Sequence, residues 1–247
     1  VAIDRSPLGN RDIWIHDLTT GAISRFTTDR GLDGFPAWSQ DGRRLAFHSD
    51  RSGSYDIYVK DIANIAAETL LIGGPGLQKP LDWSRDGSLL LYSDDTDIRV
   101  VATSGSDRTP MTIAGSAFAE TDAAISPDDR WVAFVSNESG RNEIFVQSFP
   151  KPSAKLQVST SGGIGPQWSA DGRELYFIAP DGKLMAATAS GAGFGRPVAL
   201  FQTRIVDTQI APNRGEFDVS AEGRFLINET YDGAPDPIQL ILNWRPR

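Results

Sequence analysis

One short phrase, an apolar residue followed by Ser-x-Asp/Glu and then Gly or Asp, returns five times along this chain and limits what it can fold into. It stands as Trp38-Ser39-Gln40-Asp41-Gly42, Trp83-Ser84-Arg85-Asp86-Gly87, Ile125-Ser126-Pro127-Asp128-Asp129, Trp168-Ser169-Ala170-Asp171-Gly172 and Val219-Ser220-Ala221-Glu222-Gly223. Successive serines lie 45, 42, 43 and 51 residues apart, a spacing proper to repeat architectures with about forty to fifty residues per unit. One such unit cannot bury its own apolar face, so neighbouring units must fold together.

Each phrase is followed by a short apolar and aromatic run such as Arg44-Leu45-Ala46-Phe47-His48 or Trp131-Val132-Ala133-Phe134-Val135, the composition of a strand. A polar turn and a third strand come next, as in Asp56-Ile57-Tyr58-Val59-Lys60-Asp61-Ile62 and Glu143-Ile144-Phe145-Val146-Gln147-Ser148-Phe149, with related runs from Asp12, Asp97, Lys183 and Pro237. A fourth strand follows, such as Glu68 to Ile72. Four antiparallel strands per repeat make one propeller blade. The Asp-Gly pair suits a tight hairpin, where glycine accepts positive φ and the aspartate closes the turn. Burying each Trp or Phe between blades is worth roughly 1.5–3 kcal/mol.

The sequence therefore predicts an all-β, six-bladed β-propeller of four-stranded antiparallel blades, a single domain over 1–247 with repeats near 1–33, 34–78, 79–120, 121–163, 164–214 and 215–247. The first and last blades are expected to be incomplete. Residues 1–33 hold a second-strand tail (Val1-Ala2-Ile3), a third strand (Asp12–Leu18) and a fourth (Ala22–Thr27), and the last unit lacks an obvious fourth strand. A start in mid-blade reads as a fragment of a longer polypeptide, because natural propellers pair their open edges.

Composition narrows the function classes. The net charge of −8 argues against a nucleic-acid backbone as partner. No apolar stretch reaches the roughly 18 residues of a membrane helix, and Val1-Ala2-Ile3-Asp4 is not a secretory signal. The absence of cysteine excludes disulfides, thiolate catalysis and cysteine-based zinc sites.

The Trp-Ser-x-Asp-Gly-Arg phrase, with strings such as Leu45-Ala46-Phe47-His48-Ser49-Asp50-Arg51-Ser52-Gly53 and Asp56-Ile57-Tyr58-Val59, resembles the repeats of TolB-like β-propellers over nearly the whole chain. A narrower likeness lies in the C-terminal half. Ile125 to Phe134, Glu143 to Pro150, Ala179-Pro180-Asp181-Gly182-Lys183-Leu184-Met185-Ala186 and Pro237 to Trp244 resemble the C-terminal propeller region of acidobacterial-type serine/threonine protein kinases. That resemblance implies an extracytoplasmic sensory or interaction domain behind a cytoplasmic kinase, and it carries over no catalytic residue. Similar repeats in stand-alone periplasmic propellers and in peptidase propellers leave those settings open.

Chemistry-bearing motifs are sparse. His16 and His48 are the two histidines. His16 occupies the third-strand position of Lys60 and Gln147, a variable polar site expected to face solvent. His48-Ser49-Asp50 offers the residue types of a hydrolytic triad, but neighbours on a strand point to opposite faces. Gly191-Ala192-Gly193-Phe194-Gly195 superficially suggests a phosphate loop, yet lies between strands with no following helix. The once-per-blade carboxylates Asp41, Asp86, Asp128, Asp171 and Glu222 read as turn formers.

Function is expected where the repeats differ, in the loops joining one blade's fourth strand to the next blade's inner strand. The candidate partner-binding residues are Asp29, Arg30, Asp33, Lys79, Glu120, Asp122, Gln167, Arg214 and Glu216. Acidic members of this set suit a cationic peptide or protein, with Arg30, Lys79 and Arg214 as partial counter-charge. A calcium ion on Asp33, Asp122 and Glu216 is an alternative use of the same oxygens. The reading is a non-catalytic protein- or peptide-binding or sensory propeller with no cofactor and no assigned metal. Its rivals are a stand-alone periplasmic scaffold, a lactonase- or glycan-processing-like enzyme with a channel-mouth metal, and a structural spacer.

Overall fold

A computed structural model describes residues 1–5, 10–63, 68–191, 193–205, 217–228 and 240–241. The chain divides into two compact units, Val1–Thr112 and Ile113–Arg247. Among the described residues every regular element is a strand.

The first unit begins with a three-stranded sheet of β1 (Ala2–Arg5), β2 (Asp12–His16) and β3 (Ile23–Arg25). A four-stranded sheet follows, ordered β4 (Asp33–Trp38), β5 (Arg44–Ser49), β6 (Asp56–Asp61) and β7 (Glu68–Ile72). The next is built from β8 (Gln78–Trp83), β9 (Leu89–Asp94), β10 (Asp97–Ala102) and β11 (Met111–Ala114), and the unit boundary falls inside β11. The inner strand β4 packs against β1 on one side and β8 on the other.

The second unit holds β12 (Glu120–Ile125), β13 (Trp131–Ser136), β14 (Glu143–Ser148) and β15 (Leu156–Gln157) as one antiparallel sheet. Its neighbour contains β16 (Ile164–Trp168), β17 (Glu174–Ile178), β18 (Lys183–Ser190), β19 (Gly193–Phe194) and β20 (Val198–Gln202). The long β18 turns back on itself to pair with β19 and pairs separately with β20. Gly193 and Phe194 thus lie in a strand paired with β18, the wrong backbone for cradling a phosphate. A three-stranded sheet of β21 (Phe217–Val219), β22 (Phe225–Ile227) and β23 (Leu240–Ile241) ends the chain. Apart from Leu240 and Ile241, the expected strand from Pro237 lies outside the described residues. Among the described residues there are six antiparallel sheets, four with at least four strands and the first and last with three, consistent with the propeller reading.

The repeated phrase forms one turn five times over. Ser39 Oγ donates to Asp41 Oδ1 at 2.6 Å and accepts from the Arg44 amide at 2.9 Å. The same pair of bonds recurs at Ser84, Ser126 and Ser169; Ser220 bonds Glu222 in place of aspartate and takes the amide of Arg224, four residues on instead of five, so the last turn is one residue shorter. The fifth residue takes left-handed φ in every copy: 67° at Gly42, 67° at Gly87, 69° at Gly172, 74° at Gly223, and 56° at Asp129, which lacks glycine's freedom.

Second strands such as β5 and β13 are buried at every residue but the first, so both of their faces are covered. That explains their unbroken apolar runs in place of alternation. In the first unit Ile13, Leu45, Phe47 and Tyr58 fill the space between the first two sheets, and Ile57, Leu71, Trp83, Leu90 and Tyr92 that between the second and third. Trp168, Phe177, Leu184, Phe217 and Phe225 belong to the core of the second unit.

Candidate functional site

Register places the start of the inner strand, the end of the second and the start of the third at one end of each sheet. Asp33 pairs with Ser49 and Ser49 with Asp56; Glu120 pairs with Ser136 and Ser136 with Glu143. The loops that enter the inner strands emerge at this same end, the face on which sequence places the candidate residues.

In the first unit the structure moves Asp33 out of the loop class. It opens β4 fully buried, and the Arg51 guanidinium reaches its carboxylate at 3.2 Å. Burial raises the Asp33 pKa, opposed by hydrogen bonds from Ser49 and Thr27 and by the Arg51 charge. Arg51 also pairs with Glu68 and lies 3.7 Å from Asp29, while its guanidinium stacks 4.4 Å from the Tyr58 ring centroid. Asp29 caps its own loop by accepting from the Gly31 amide at 2.9 Å, and Arg30 is exposed. Asp29 and Asp33 therefore share Arg51, which lies in the turn between β5 and β6.

A second group surrounds the bulge in β4 between Gly34 and Ala37. An extra residue on one strand turns the backbone and re-aims its side chain. Here that residue is Phe35, at φ 53°, which is strained for a bulky side chain. Its half-buried ring meets His48 edge-on at 4.8 Å, and Lys79 Nζ, from β8, lies 5.1 Å from its centroid. His48 stacks on Tyr55 at 4.8 Å and lies 3.0 Å from Arg11 Nη2 through its Nε2. Asp4 stands 3.8 Å from Arg11 Nε. Of the sequence-selected residues Lys79 alone joins this group. Asp4, Arg11, Tyr55 and His48 went unselected, because the signal is spatial: each comes from a different strand or turn.

The neighbours His48 and Ser49 take different partners, Arg11 for the imidazole and Arg51 Nε for the Ser49 hydroxyl, as opposite strand faces require. The imidazole's Nε2 faces a guanidinium rather than a nucleophile. His16, expected to face solvent, is half-buried.

In the second unit Glu120 is likewise not an open loop carboxylate. It opens β12 at 1% exposure and accepts from the Ser116 hydroxyl at 2.6 Å. Asp122 occupies the bulge between Thr121 and Ala124 at φ 44°, the counterpart of Phe35. Gln167 follows the corresponding bulge in β16, half-buried, where Gly165 has φ 60°. Arg214 and Glu216 lie outside the described residues. Among the described residues no group of three or more His, Asp or Glu side chains is placed to hold a metal ion.

Residues 1–120 match the model of the TolB β-propeller domain. The TolB protein of Acinetobacter baumannii superposes over 91% of this chain and 59% of its own with a TM-score of 0.67 at 18% identity. The fold is that of a TolB-like β-propeller. Relatives of this TolB-like chain include the TolB homologue of Chlorobium luteolum, 27% identical over 56% of the chain and 31% of the relative. The uncharacterized peptidase YuxL of Bacillus subtilis is 37% identical over 33% of the chain and 12% of the relative. The TolB-like chain thus spans less than two thirds of the length of these curated relatives.

Proposed function

We propose that this TolB-like propeller is a non-catalytic module that binds a protein or peptide partner on the face where the inner strands begin. The observation that carries the reading is the β4 bulge, which holds Phe35 in a left-handed backbone conformation with Lys79 over its ring. Local strain is characteristic of binding sites, and aromatic rings are enriched at interfaces. At the start of the same strand the buried Asp33 is held by Arg51, which also pairs with Glu68.

The setting is the extracytoplasmic C-terminal part of a larger bacterial protein, with a receptor-type serine/threonine kinase as the parent. The resemblance of Ile125 to Phe134 and Glu143 to Pro150 to kinase-attached propellers supports that parent. Reading the genomic sequence upstream of Val1 tests it. A kinase catalytic loop and a membrane helix there would sustain it; the N-terminal region of a periplasmic scaffold, or an adjoining hydrolase domain, would replace it.

Binding itself is tested by immobilising the chain and capturing proteins from envelope extracts of the source organism, beside a Phe35→Gly, Lys79→Ala variant. Glycine tolerates the backbone conformation at position 35, so the variant is expected to fold. The expected result is a saturable partner lost with the variant at unchanged melting temperature. A partner that the variant captures equally well would remove the binding role from this face.

A further inference from the structure

We draw no further inference here: the strongest candidate, the face of the β1–β2–β3 sheet on which Ile3, Trp14 and His16 stand and where the buried Trp14 Nε1 and His16 Nε2 atoms have no hydrogen-bond partner, is a sheet face for which nothing in the structure shows what covers it.

Discussion

The indole N–H of Trp83 donates at 3.0 Å to the backbone carbonyl of Ala37, across the interface between two consecutive sheets. Trp168 makes the same bond to Ala124 at 3.1 Å in the second unit. The tryptophan of the repeated phrase is thus a polar tie as well as an apolar filler, fixing the inner strand of one blade to that of the blade before it. Arg44 reinforces the first instance by stacking 4.6 Å from the Trp83 ring and donating to the Gly87 carbonyl.

Replacing Trp83 by Phe keeps most of the buried ring but leaves the Ala37 carbonyl without this donor. An unsatisfied buried acceptor together with the smaller side chain is expected to cost about 2–3 kcal/mol. Denaturant melts of Trp83→Phe and Trp168→Phe measure it; a loss well below 1 kcal/mol would mean the indole bond is replaced by solvent.

Buried carboxylates at the start of third strands do a comparable job for the loops. Glu143 is fully buried and accepts from the Gly162 amide at 2.9 Å, from Arg141 Nε at 2.8 Å and from the Ser159 hydroxyl. Asp56 accepts from the Gly74 amide at 3.1 Å and from the Ser54 hydroxyl at 2.9 Å. Both clamp the segment that enters the next inner strand. Glu143→Gln puts an amide donor among existing donors and is expected to cost about 2 kcal/mol. Amide exchange at Gly162 is expected to accelerate while that at Gly74 is unaffected. Equal acceleration at both would point to global destabilisation and not to release of one loop.

Asp129 is the one non-glycine at the fifth position of the repeated turn and sits at φ 56°. Asp129→Gly relieves that backbone at some cost in unfolded-chain entropy, and a net gain of about 0.5 kcal/mol is expected. The reverse change, Gly172→Ala at φ 69°, is expected to cost about 1 kcal/mol or more. Melting temperatures of the two variants should move in opposite directions.

The all-β class and the antiparallel strand order within each sheet were legible in the sequence because they depend on local signals: the Ser-Asp turn, a glycine at positive φ, and apolar runs of strand length. Polar ties between blades were not. Lys60 and Gln147 occupy a position that reads as variable and solvent-facing, yet both are buried. Lys60 Nζ donates to the Phe26 carbonyl at 2.8 Å, and Gln147 Nε2 donates to that of Ile113 at 2.6 Å. Their common feature is reach toward a backbone acceptor on the preceding blade, which residue type alone does not reveal. Asp33 and Glu120 failed as loop residues for a related reason. A carboxylate beside a variable loop looks exposed until Arg51 or Ser116 is seen to satisfy it.

His48 gives the fold a definable acid limit. Burial first, then the charges of Arg11 and Lys79, lowers its pKa from 6.5 to about 3; Asp4 is the nearby countercharge to Arg11. Below pH 6.5 the unfolded chain takes up a proton at this position that the folded chain refuses until about pH 3. The His48 contribution to stability is therefore full above the unfolded value and declines as pH falls through that window. Between about pH 7 and about pH 5 the loss expected from this residue is about 2 kcal/mol. His48→Asn, which has no group titrating in this range, is expected to flatten the pH dependence by that amount while lowering stability at neutral pH. Denaturant midpoints of both proteins at the two pH values supply the comparison. An undiminished slope in the variant would assign the acid sensitivity to other groups and place the His48 ring in contact with solvent.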